Sequence, residues 1–177
     1  MTPDFTKTHF ALFGLPAIFA IDTKALDKAY LEVQKEVHPD RYVNAADNEK
    51  RLAAQWAAQA NEAYRTLKSP LNRGRYLLKL NGIDTEEERN TEMPIAFLMQ
   101  QIEWREAVVD AKAARDDAAL SVLTKQKHAD EKTLFSLLAT QLANPESMIY
   151  ARETVRKLRF LEKLGEEIQL ATEAIES

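Results

Sequence analysis

Apolar residues recur at helical spacing along most of this chain. In its first third, steps of four, three and four residues separate Leu26, Tyr30, Val33 and Val37. This spacing predicts a helix with one buried stripe. Asp22 or Thr23 can cap its first turn, and Pro39 ends it because proline lacks the backbone N–H donor and crowds the preceding turn.

A second long amphipathic helix follows, with its apolar side formed by Leu52, Trp56, Ala60, Ala63 and Leu67. Two such helices joined by a short loop are expected to fold back as an antiparallel hairpin. Ser69 and Pro70 read as the N-cap and first residue of another helix, which ends at Asn81–Gly82. A short apolar segment, Leu12–Phe13–Gly14–Leu15, precedes the hairpin.

The last half of the chain predicts a second domain. Residues 83–92 are almost devoid of apolar side chains and read as a linker between domains at 1–82 and 93–177. Three helical stretches follow, at about residues 94–113, 115–142 and 146–175. Short connections between three helices predict a bundle, so the fold class is all-α: a helical hairpin domain plus a C-terminal three-helix bundle.

Composition narrows the function. The 177 residues include no cysteine, which removes disulfides, thiolate metal sites and cysteine nucleophiles. The formal charge is -4 and no basic stripe is visible, so we expect protein partners and no nucleic acid. No stretch is apolar for long enough to span a membrane, and nothing at the N-terminus resembles a signal peptide. We therefore expect a cytoplasmic protein that does not bind membranes.

The sharpest motif is His38–Pro39–Asp40, between the two hairpin helices. Taken alone, it is ordinary turn chemistry. Proline fixes such a loop so that the imidazole and carboxylate project, and Asp40 can accept charge-assisted hydrogen bonds from an arginine of a partner. An acid–base pair is the catalytic alternative. No phosphate-binding loop or nucleophile motif accompanies it, and His9 and His128 lack metal-ligand spacing, so we expect neither an enzyme nor a bound metal or cofactor.

The order of motifs over residues 8–80 resembles a J-domain. Ala63–Tyr64–x–x–Leu67 is followed by a turn at Pro70 and by Arg73 and Tyr76 on the last helix. The resemblance implies a surface that docks on a DnaK-type chaperone and stimulates its ATPase. That surface would comprise His38, Pro39, Asp40, Lys24, Lys28, Lys35 and Arg41. J-domains often have a more basic run before the loop than Lys35–Glu36–Val37, and the lysines also fit a solvated helix face.

Residues 94–113 predict a helix with two apolar faces. At about 100° per residue, one face carries Phe97, Trp104, Val108 and Ala111. Roughly opposite lie Leu98, Met99 and Ile102, bordered by Glu103, Glu106 and Asp110. One face must pack in the bundle, and the second indicates a protein-binding patch with an acidic border. The alternative is that Leu98 and Ile102 pack against the N-terminal domain.

The same segment resembles the HscB family of iron–sulfur cluster co-chaperones. Phe97–Leu98–Met99 with Ile102–Glu103–Trp104–Arg105–Glu106 is similar to one family motif, and residues 155–161 (VRKLRFL) are similar to another. The resemblance implies binding of the iron–sulfur scaffold protein (IscU) and action with the chaperone HscA. The implied scaffold contacts are Leu98, Met99, Ile102, Glu103, Glu106, Asp110 and Phe160. Ile102 and Asp110 stand where relatives often have Leu and Glu, and the cysteine metal module of some relatives is missing.

Two other functions stay open at this point. The chain is also compatible with a J-domain adaptor for a different client. The other alternative is an interaction module whose J-like hairpin no longer activates a chaperone.

Overall fold

The computed structural model describes residues 4, 6–85, 87 and 93–176. All regular elements in these residues are helical, which confirms the all-α prediction. They are α1 (His9–Leu12), α2 (Thr23–Val37), a 3-10 turn (Pro39–Tyr42), α3 (Asp47–Lys68), α4 (Pro70–Leu80), α5 (Ile95–Ala114), α6 (Asp117–Ala143), a second 3-10 turn (Met148–Tyr150) and α7 (Ala151–Glu176). None of the described helices is both long and apolar enough to cross a membrane.

The chain divides into two compact units, Met1–Leu77 and Leu78–Ser177. The division falls inside α4, just before the predicted linker at residues 83–92. Residues 86 and 88–92 of that linker lie outside the described part of the chain. The assignment of a linker there therefore stays a prediction.

The first unit contains the predicted hairpin of α2 and α3. Asp22 caps α2, because its side chain accepts hydrogen bonds from the backbone N–H groups of Lys24 at 2.9 Å and Ala25 at 3.2 Å. One buried stripe runs along α3 through Ala53, Trp56, Ala60, Ala63 and Leu67. The placement of Leu52 in this stripe is wrong, since Leu52 is 39% exposed. The three-and-four spacing of the stripe begins one residue later, at Ala53.

Polar contacts reinforce the hairpin toward its open end, away from the connecting loop. The Tyr64 hydroxyl of α3 donates to Asp27 Oδ1 of α2 at 2.9 Å, and Lys68 Nζ lies 2.6 Å from the same oxygen. The rings of Tyr30 and Tyr64 stack with centroids 4.1 Å apart. The hydrogen bonds from Lys68 and then Tyr64 hold the pKa of Asp27 below its ordinary value of 3.8.

The start of α4 ties the rest of this unit to the hairpin. As predicted, Ser69 precedes the helix and Pro70 is its first residue. Arg73 is buried and donates from Nε to the Leu67 carbonyl at 2.9 Å and from Nη1 to the Phe19 carbonyl. One turn later, the Tyr76 hydroxyl accepts the His9 backbone N–H at 3.0 Å. The Arg-x-x-Tyr motif therefore joins α1 and the loop after it to the hairpin.

The second unit contains the predicted three-helix bundle of α5, α6 and α7. Its core includes Val108 and Ala111 of α5, Leu120 and Leu123 of α6, and Leu164, Ile168 and Ala171 of α7. Two helix starts differ from the prediction. Arg115 ends α5 in the left-handed region, with φ 52°, and the Asp116 side chain caps α6. A 3-10 turn precedes α7, which begins at Ala151.

Candidate functional site

The His-Pro-Asp loop forms an exposed tip directly after α2. Val37 is the last helical residue, and His38 takes extended backbone angles before the 3-10 turn. His38 Nδ1 accepts the Asp40 backbone N–H at 3.3 Å and lies 3.6 Å from Asp40 Oδ2. The side chains of His38 and Asp40 are 59% and 86% exposed. The loop thus holds an imidazole and a carboxylate side by side with most of their surface available to a partner.

Two side chains that follow the tip attach it to the end of α2. Tyr42 donates its hydroxyl to the Glu36 carbonyl at 3.1 Å, and Arg41 Nη1 reaches the Lys35 carbonyl at 3.4 Å. These carbonyls belong to the last turn of α2, where backbone acceptors lack partners within the helix. Sequence reasoning placed Arg41 in the chaperone-binding surface but did not predict this contact, because it depends on the path of the 3-10 turn.

The three predicted lysines lie along one exposed side of α2. Lys24, Lys28 and Lys35 are separated by four and seven residues, so they share a stripe. Lys35 Nζ pairs with Glu32 Oε1 at 2.8 Å, and this contact lowers the pKa of Glu32. The ion pair reduces the net positive charge beside the loop. Leu31 lies within this stripe and is also exposed.

The outer face of α5 contains most of the second predicted set. Met99 and Ile102 are exposed, as are Glu103, Glu106 and Asp110, while Leu98 is half-buried. The opposite side of α5 packs in the bundle through Val108 and Ala111, with Trp104 partly buried against them. Met99 and Ile102 are therefore surface residues in this structure.

Phe160 comes from α7 and is held next to α5 by an aromatic contact. Its ring meets Phe97 edge to face, with centroids 5.8 Å apart and ring planes at 89°. Lys157 Nζ lies 5.9 Å from the centroid of Phe97 and 2.7 Å from Glu153 Oε1. An open groove beside this contact is lined by Pro94, Ala96, Phe97, Met99, Gln100, Glu103 and Lys157. Sequence reasoning assigned Phe97 to the packing face and did not foresee its contact with Phe160.

The described residues offer no ready cation site. No three histidine, aspartate or glutamate side chains among them come together in a way that could hold a metal ion. The two exposed sets of side chains instead present hydrogen-bonding, charged and apolar surface, which are the means by which proteins recognise proteins.

Comparisons with known proteins cover nearly the whole chain. A family model described as the HSCB C-terminal oligomerisation domain matches residues 93–169. The co-chaperone protein HscB homolog of Paraburkholderia phymatum is 49% identical over 170 residues, which is 96% of this chain and 97% of the relative. Among solved structures, the chaperone HscB from Vibrio cholerae is 35% identical with a TM-score of 0.84, covering 96% of this chain and 99% of that one. Human co-chaperone protein HscB is 31% identical with a TM-score of 0.89, covering 96% and 84%.

Proposed function

Because this chain belongs to the HscB family of co-chaperones, with a J-domain and a C-terminal helical domain, we propose that it delivers an iron–sulfur scaffold protein to a DnaK-type chaperone. In this proposal the scaffold is an IscU-type protein and the chaperone is an HscA-type ATPase. The chain supplies two binding surfaces and performs no chemistry itself. Its work in the cytoplasm is to promote cluster transfer and the maturation of iron–sulfur proteins.

The observation that carries the chaperone half of the proposal is the exposed pair of His38 and Asp40 at the end of α2. An exposed carboxylate can accept a bidentate bond from an arginine of the chaperone. Pro39 restricts the backbone of the loop, so little conformational entropy is lost when it docks. Lys24, Lys28 and Lys35 add positive charge that can steer association with an acidic partner surface.

The scaffold half rests on the exposed side of α5 together with Phe160. Met99 and Ile102 offer apolar contact area, and Phe160 adds an aromatic side chain of the kind that often dominates binding energy. The carboxylates of Glu103 and Asp110 line one side of this area, Glu106 lies within it, and together they select a partner with basic residues. Leu98 is half-buried beside this area.

The mechanism is tethering combined with triggering. The second unit holds the scaffold while the loop of the first engages the chaperone, so the scaffold reaches the chaperone at a high effective concentration. Docking of the loop promotes ATP hydrolysis by the chaperone, which then binds the scaffold tightly. Linked binding is reciprocal, so scaffold and co-chaperone each strengthen the other's association with the chaperone.

The deciding experiment measures steady-state ATPase activity of an HscA-type chaperone with this protein, with and without the scaffold. We expect stimulation by the protein alone and a larger, synergistic stimulation when the scaffold is added. The double variant Leu98→Ala with Phe160→Ala should lose the synergy and bind scaffold more weakly by calorimetry. Stimulation without any response to the scaffold would favour an adaptor for another client, and no stimulation at all would favour a non-activating module.

A further inference from the structure

The exposed apolar surface of α5 is longer than the sequence analysis predicted. Ile95 and Val109 are 77% and 65% exposed, more than Met99 and Ile102 at 57% each. At about 100° per residue these four side chains fall within a sector of about 80°. They form a line, here called the α5 strip, that extends from the first turn of the helix for about 21 Å at 1.5 Å per residue.

Carboxylates accompany the α5 strip on one side only. Glu103 and Asp110 lie along one edge, and Glu106 separates Ile102 from Val109. Within the described part of the chain, none of these three carboxylates has a lysine or arginine partner at ion-pair distance. The opposite edge carries Arg105, whose Nε lies 3.1 Å from both carboxylate oxygens of Glu167. Exposed Lys112 lies on the same edge as Arg105, so the strip has an acidic side and, opposite it, a basic side.

Single exposed apolar residues are normal on protein surfaces, but an ordered line of them on one helix is typical of helix-in-groove recognition. The charges argue against a second copy of this chain as the occupant. Two antiparallel α5 helices would set the acidic edges against each other, whereas two parallel ones would bring the Glu106 carboxylates to the same level. In the parallel pair the acidic edge of each copy would face Arg105 and Lys112 of the other, but the two Glu106 carboxylates would repel each other, and like charges in an interface cost affinity.

We infer that the scaffold protein binds along the whole α5 strip, from Ile95 to Val109, and not only around Met99 and Ile102. This inference rests on the proposed function and names the chemistry of the partner. The matching surface of the scaffold is an apolar groove bordered on one side by lysine or arginine. One basic residue reaches Glu106 between the contacts made by Ile102 and Val109.

The test uses the full chain and purified scaffold in titration calorimetry. Val109→Lys places an ammonium group in an apolar contact, and we expect its affinity for the scaffold to fall by about tenfold or more. Val122→Lys is the matched control, because Val122 is 52% exposed on α6, away from the strip. It should bind as the wild-type protein does. Equal affinities of the two variants would overturn the inference.

Two further measurements separate this inference from the function it rests on. If Leu98→Ala with Phe160→Ala weakens binding but Val109→Lys does not, the proposed function stands and the extended surface is wrong. If the wild-type protein binds no scaffold, both fall. Sedimentation velocity measures whether the chain self-associates through the strip. A Val109→Lys protein that loses self-association while keeping its scaffold affinity would assign the strip to a second copy and overturn the inference.

The acidic side of the strip gives an independent readout. Raising the salt concentration from about 0.1 M to about 0.5 M should weaken scaffold binding, since screening shortens the reach of exposed charges. In the triple variant Glu103→Gln, Glu106→Gln, Asp110→Asn, affinity at low salt should fall and the salt dependence should flatten. An unchanged salt dependence in this variant would contradict a basic border on the scaffold.

Discussion

The rings of Phe97 on α5 and Phe160 on α7 meet edge to face, 5.8 Å apart, at one margin of the surface that we assign to the scaffold. The two residues are far apart in the sequence, so this part of the surface exists only once the bundle has formed. Phe97 is half-buried and also lies near Lys157, which places it between the core and the surface. It is a positioning residue for Phe160.

Replacing Phe97 by alanine should weaken scaffold binding through Phe160. An edge-to-face aromatic pair is worth about 0.5–1.5 kcal/mol beyond its buried area, so the expected loss in affinity is roughly two- to tenfold. Calorimetry on Phe97→Ala, Phe160→Ala and the double variant closes a double-mutant cycle. Phe97→Ala should have little effect once Phe160 is gone. Additive losses would show that Phe97 contacts the scaffold directly.

This contact marks the limit of sequence reasoning about the site. Helical periodicity predicted that Met99 and Ile102 lie opposite Val108, because all three residues belong to the same helix and its geometry sets their relative directions. The same periodicity places Ile95 and Val109 on the side of α5 that carries Met99. The contact of Phe97 with Phe160, and that of Arg41 with the Lys35 carbonyl, could not be predicted because each depends on how separate segments pack.

His38→Gln should abolish stimulation of the chaperone ATPase and leave the fold intact. The His38 side chain is largely exposed, and the glutamine amide oxygen can still accept the Asp40 backbone N–H. We expect the stimulated rate to fall to the basal rate of the chaperone, with the melting temperature unchanged within about 1 °C. Asp40→Asn, which removes charge at the same tip, should behave alike. Stimulation at the wild-type level by either variant would remove the assigned role of that residue.

Low pH should destabilise the hairpin because it protonates the Asp27 carboxylate. Its pKa is lower in the folded protein than the ordinary value of 3.8, because Lys68 and Tyr64 bind the ionised form. Because the pKa of Asp27 is lower in the folded protein, its ionised carboxylate stabilises the fold at pH values above 3.8. This stabilisation is lost as the pH falls through 3.8 and then through the pKa of the folded protein. Asp27→Asn should therefore lower the melting temperature at pH 7, and the difference from wild type should shrink below pH 3.8.

The control for Asp27 is Asp110→Asn, which removes an exposed carboxylate that has no lysine or arginine partner at ion-pair distance among the described residues. Its melting curve should follow the wild type across the same pH range. A constant gap between Asp27→Asn and wild type from neutral to acid pH would mean that the carboxylate's charge is not what stabilises the hairpin.

The helices were largely predictable because capping residues, prolines and apolar spacing indicate the same boundaries. Asp22, Pro39 and Pro70 act on their own backbone neighbours, and the structure confirms the boundaries that they predict. Leu52 was misplaced because a stripe of alanines carries a weaker hydrophobic signal than one leucine. The start of α6 at Asp117, against a predicted start at about residue 115, was missed since a left-handed arginine after α5 gives no sequence signal comparable to glycine.

Gly165 of α7 is the site of the last prediction. A Cβ atom placed there would lie 2.9 Å from Cε and 3.1 Å from Nζ of Lys127. The Lys127 side chain is only 10% exposed and pairs with Glu131 at 2.7 Å. In a helix interior, glycine to alanine normally stabilises by about 1 kcal/mol. Here the methyl group must push aside the end of the Lys127 side chain, and because that side chain is largely buried and paired with Glu131, the shift costs more than this gain.

Gly165→Ala should therefore destabilise the protein by about 1 kcal/mol, and the sign should reverse in a Lys127→Ala background, where nothing occupies the space. Denaturant unfolding of the four proteins measures both effects, and the slopes of the transitions check that the unfolding unit has not changed. If Gly165→Ala were stabilising with Lys127 present, the lysine would have to move aside at little cost. The Lys127–Glu131 ion pair would then not require glycine at residue 165.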